Sequence, residues 1–173
     1  ITTGPIGFPP NLEIEANNLP ANDSGVYVFS QQKVAFDQCG ETRWAYRGEV
    51  GPFYERLPNG NWLGAINTDA ILYHYPRFAE LTMLGATVRE YTVPNYLHHD
   101  AQKLPWGNYL VPGNLYPITA TNNGLSEEDT LVEIDADSGA VVRTWDFNTI
   151  LDSNRTPIPS SNRDDDWLHL NSA

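Results

Sequence analysis

From about residue 25 onward the chain is built of short aromatic and β-branched runs, broken every few positions by Gly, Asn or Pro. Short strands at regular spacing, separated by such turn signals, predict an all-β fold. Residues 34–36, 80–83 and 131–134 read as strands, each followed by a turn ending in Gly40, Gly85 or Gly139. Residues 41–45, 86–90 and 140–144 then read as return strands, with glycine at the hairpin turn. An aromatic residue, Tyr46, Tyr91 or Trp145, stands six positions after each glycine. Residues 76–82 and 147–152 are the two places where a turn or two of helix is expected. Residues 1–25, rich in Pro, Gly and Asn with one alternating run at 11–16, read as a connector holding a single strand.

The hairpins belong to a larger repeat. Leu57-Pro-Asn-Gly-Asn61 matches Leu104-Pro-Trp-Gly-Asn108, and each is followed by a strand, at 62–66 and 109–111. A period of about 45 to 54 residues with four short strands in each unit is the size and content of a propeller blade. A sandwich has no need of the same turn chemistry at the same offset in successive units. The expectation for residues 26–173 is therefore a partial β-propeller of about three blades. It is expected to continue past the C-terminus, because the chain lacks an initiator Met and residues 167–173 read as a strand just beginning. An open propeller exposes apolar edges, so its expected partners are the remaining blades or, failing those, a homo-oligomer.

Charge narrows the function classes. With 22 acidic against 10 basic residues, the formal charge is −12, which disfavours nucleic acid and anionic membranes as partners. No apolar run is long enough to span a membrane. The single cysteine, Cys39, allows no internal disulfide and reads as a small turn residue. Asp135-Ala-Asp137-Ser-Gly139 reads as a hairpin turn, since the rest of a calcium-loop pattern is missing.

The histidines carry the candidate chemistry. Tyr96-Leu-His98-His99-Asp100-Ala and Trp167-Leu-His169-Leu-Asn171-Ser enter equivalent strand starts in successive units. Equivalent positions near the inner strands of a propeller converge on its central channel. Convergent imidazoles can bind a metal, act as acid, base or nucleophile, or donate hydrogen bonds to an anion. Strand alternation is expected to send His98 and His99 to opposite faces, which weakens the metal reading. His99 is then expected in the channel and His98 against the blade. His74, in Tyr73-His-Tyr75, has no counterpart in the repeat and reads as structural. The insertion at 146–166 reads as a solvated surface loop or as one that closes over a ligand site.

Residues 166–172, together with His98-His99-Asp100 and the turn and strand at 104–111, resemble the bacterial arylsulfate sulfotransferases. The resemblance covers roughly residues 26–173, and Trp-x-His-x-Asn-Ser is its most specific part. It implies a six-bladed, extracytoplasmic (periplasmic) propeller that moves a sulfuryl group from a phenolic sulfate donor to a phenol acceptor, with no cofactor or metal. It also implies that His99 and His169 hold the sulfate and the phenolic oxygen, with His98, Trp167 and Asn171 beside the substrate. The transiently sulfated histidine and an arginine that completes the site are implied beyond Ala173. Trp106 and Trp167 are expected either to pack within the blades or to stack on the aryl ring. Two other readings remain open: a non-catalytic binding propeller in which the histidines knit blades together, and metal-dependent hydrolysis.

Overall fold

The computed structural model describes residues 25–48, 50–66, 74–114 and 130–151. It divides at Gly48 into two units. The first holds a three-stranded antiparallel meander, β1 (Val26–Phe29), β2 (Val34–Asp37) and β3 (Thr42–Ala45), in that order.

The second unit holds two successive four-stranded meanders. In one, β4 (Val50–Arg56), β5 (Trp62–Ile66), β6 (His74–Leu81) and β7 (Thr87–His98) pair in sequence order. In the other, β8 (Gln102–Lys103), β9 (Tyr109–Gly113), β10 (Thr130–Ile134) and β11 (Val141–Asp146) do the same. The pair Leu97↔Gly113 joins them into one sheet. A single helical turn, α1 (Phe147–Ile150), follows β11 where helix was expected. The all-β expectation holds.

The repeat is legible bond by bond. Gly40, Gly85 and Gly139 have φ of 76°, 83° and 72°, in the left-handed region that glycine enters without steric cost. Each donates its N–H to the residue that opens its turn, Asp37, Thr82 or Asp135. The side chains of those three residues in turn accept backbone N–H groups of the turn. Asp135 accepts from Asp137, from the Ser138 backbone and from the Ser138 hydroxyl, so it caps a hairpin as the sequence suggests.

The Leu-Pro-x-Gly-Asn turns repeat as closely. Leu57 N–H donates to Asn61 O at 2.9 Å and Leu104 N–H to Asn108 O at 2.8 Å. A carboxylate on the third strand of each meander then reads the turn. Glu80 accepts from Asn59 and Asn61 at 2.8 and 2.5 Å, and Glu133 accepts from Trp106 and Asn108 at 2.9 and 2.7 Å. Trp106 thus takes the place of Asn59 as donor. Its ring is 66% exposed, so it is not packed within the sheet as expected.

These hydrogen bonds set the acid behaviour of the fold. Burial pushes the Glu80 carboxyl up, but the amides of Asn61 and Asn59, the charge of Lys103 and the Tyr109 hydroxyl outweigh it and hold it below 4.5. Asn108 and Trp106 likewise hold Glu133 below 4.5. A depressed folded-state value means the unfolded chain binds protons first, so this stabilisation is present above pH 4.5 and lost as pH falls toward the folded values. Denaturant unfolding between pH 6 and pH 3 is expected to show a steeper loss for the wild type than for Glu80→Gln. Equal slopes would contradict this role.

Residues 76–82 correct the sequence reading. They form most of strand β6 rather than helix, hydrogen-bonded on both sides to β5 and β7. Tyr75, Phe78, Ala79, Glu80 and Leu81 are all buried, so no polar alternation marks the strand. Pro76, which lacks an N–H, sits where the register with β7 shifts between Tyr75 and Arg77, so no ladder bond is forfeited. The two meanders share one core. Phe78 and Tyr91 from the first stack with centroids 5.0 Å apart, and Tyr109 from the second meets them at 5.3 and 4.8 Å.

Candidate functional site

Strand β7 leaves the first meander at its outer edge and ends beside the second. Between Val93 and Leu97 its backbone turns through two consecutive left-handed residues, Asn95 (φ 57°) and Tyr96 (φ 73°). Leu97, fully buried, then joins Gly113 of β9, and His98 pairs in register with His74 of β6. His99 takes φ of 61° and ends the strand. Asp100 closes the turn, its N–H donating to His98 O at 2.8 Å and its carboxylate accepting Ala101 N–H at 2.8 Å.

This backbone corrects the expectation that His98 and His99 face apart. Alternation holds only while φ and ψ stay extended, and His99 has left that region. The two imidazoles lie side by side, centroids 3.5 Å apart and tilted by 53°. His98 is 5% exposed, and His99 is exposed. The turn thus presents one imidazole to solvent on top of one held within the protein.

Two further side chains frame this turn. The Tyr54 hydroxyl of β4 is buried, with no hydrogen-bond partner among the described residues. Burial raises its phenol well above the ordinary range, with Tyr75 and Asp100 adding to the shift, so it is a neutral donor facing the acidic end of the turn. In the repeat Tyr54 occupies the position of Ala101, counting from Leu57 and Leu104. That large-for-small exchange is a sequence signal that could have found it. The second is Asn114, at the end of β9, whose side-chain amide reaches the backbone of Asn95 and Tyr96.

Of the residues singled out from sequence, the structure brings His98 and His99 together beside Asp100. Trp167, His169 and Asn171 lie outside the described residues, as does the run at 11–16. Among the described residues no three His, Cys, Asp or Glu side chains converge to hold a metal ion. No described helix is long and apolar enough to cross a membrane.

A cleft of about 390 Å³ opens elsewhere, between the turns Leu57–Asn61 and Leu104–Asn108. Its lining includes Glu55, Asn59, Lys103 and Pro105, and neither histidine. Glu55 is committed there to the Lys103 N–H at 2.8 Å. The imidazole pair is therefore the stronger chemical candidate: side-by-side rings can donate hydrogen bonds to an anion or exchange a proton with a bound oxygen.

A family model described as Arylsulfotransferase (ASST) matches residues 13–173. No curated protein matches the chain. A solved structure, a protein of unknown function from Bacteroides caccae, is 20% identical with a TM-score of 0.34. The match covers 72% of this chain and 58% of that one.

Proposed function

Since the chain belongs to the arylsulfotransferase family, we propose that it forms part of a propeller that moves a sulfuryl group from a phenolic sulfate ester to a phenol. The two four-stranded meanders act as successive blades, and the histidine turn leads into the inner strand β8 of the second. In this reading His99 and His169 hold the sulfate and the phenolic oxygen, with His98, Trp167 and Asn171 beside them. The transferred group rests on a histidine outside residues 1–173 between the two half-reactions.

The observation that carries the reading is the exposed His99 imidazole stacked on buried His98 at a turn fixed by Asp100. Sulfuryl transfer should resemble phosphoryl transfer, in which charge builds on the leaving oxygen through a loose transition state. Fixed donors at that oxygen lower the barrier because they need no reorganisation as charge develops. A neutral imidazole there can protonate the departing phenolate and later take the proton of the incoming phenol. The test is sulfate exchange between two phenols by the full-length protein with no nucleotide added. Turnover that survives a metal chelator is expected. Absence of exchange with any aryl sulfate, or its loss on chelation, would sink the reading.

A further inference from the structure

The histidine turn depends on a backbone that its own residues disfavour. Asn95 and Tyr96 are both left-handed, at φ of 57° and 73°, a conformation that L-residues adopt rarely and seldom twice running. Tyrosine has no short polar side chain with which to compensate locally. Something outside the strand must therefore hold this kink, and Asn114 is placed to do so. Its Nδ2 donates to Asn95 O at 2.9 Å and to Tyr96 O at 3.1 Å, and its backbone N–H donates to Tyr96 O at 3.3 Å. The side chain is 3% exposed, so water does not compete freely for these carbonyls. The preceding Gly113 lets the strands close up: a Cβ there would meet the Tyr96 carbonyl at 3.5 Å and the Thr130 hydroxyl at 3.2 Å.

We propose that Asn114 is a positioning residue, whose amide clamps the two carbonyls of the β7 kink and thereby sets where His98 and His99 stand. The coupling is short and covalent. Only Leu97 separates Tyr96 from His98, and Leu97 is itself fixed by burial and by its pairing with Gly113. A relaxed kink rotates the strand end and moves both imidazoles, and displacement of about 1 Å in such a site costs on the order of 10- to 100-fold in rate. The kinetic part of this proposal rests on the sulfuryl-transfer reading; the structural part does not.

The experiment compares the full-length wild type with Asn114→Ala, Asn114→Ala/Tyr96→Gly and His99→Ala. Asn114→Ala is expected to lower kcat by about 10-fold or more, with KM changed far less, and to shift the His98 and His99 imidazole resonances in nitrogen-15 NMR spectra. Glycine at position 96 accepts the left-handed backbone without the clamp, so the double variant is expected to recover most of the lost kcat and the original resonances. A folded Asn114→Ala protein with wild-type kcat and unmoved resonances overturns the proposal, as does a loss that the glycine fails to restore. If Asn114→Ala does not fold, Asn114→Ser, which keeps one donor, replaces it under the same criteria. Wild-type turnover in His99→Ala would instead defeat the sulfuryl-transfer reading, leaving the resonances to decide the role of Asn114.

Discussion

Replacing His99 with alanine in the full-length protein is expected to cut sulfate exchange between phenols by about 100- to 1,000-fold, and His169→Ala by a similar factor. The magnitude follows from what a single preorganised donor contributes at a developing oxyanion, about 3 to 4 kcal/mol. His99 projects from the exposed tip of a turn, so its removal leaves the sheet hydrogen bonds intact and the loss should fall on kcat rather than on folding. His98→Ala is expected to behave differently. That ring is buried at the last pair of β7 with β6, so its loss should lower stability together with rate. Steady-state kinetics beside thermal unfolding separates the two cases. Near wild-type turnover in both His99→Ala and His169→Ala would remove these residues from the chemistry.

The second large effect is expected in the shared core. Phe78 is fully buried, with its ring against Tyr91 of its own meander and Tyr109 of the next. Truncating a buried phenylalanine costs about 3 to 5 kcal/mol, through lost transfer energy and the cavity left behind. Phe78→Ala should therefore weaken both meanders at once, and unfolding followed at two probes, one in each meander, should shift together. A shift confined to the first meander would mean that the two do not share one cooperative core. The Tyr109 phenol, pushed up chiefly by burial with Tyr91 and Glu80 adding, stays protonated throughout such measurements.

The hairpins could be read from sequence because their determinants are local. A glycine at positive φ with an Asp or Thr opening the turn fixes the geometry within a few residues, and three copies at one offset expose the repeat. Residues 76–82 were illegible for the opposite reason. A strand buried on both faces shows no alternation, and its proline suggests a break until the register shift that absorbs it is seen. The histidine pair needed tertiary information as well. Nothing in Tyr-Leu-His-His-Asp announces that residue 99 turns left-handed, and the Asn114 clamp acts across 18 or 19 residues. Trp106 differs for a simpler reason: its partner Glu133 lies 27 residues away, and only pairing of β9 with β10 brings the two together.

The most direct test is the structure of the full-length protein with an aryl sulfate bound. One sulfate is expected within about 3 Å of both the His99 and His169 imidazoles, as donors to an oxyanion must be. Imidazoles separated by well over about 10 Å, or a sulfate bound away from both, would contradict the account, because no single oxyanion could then draw on both donors.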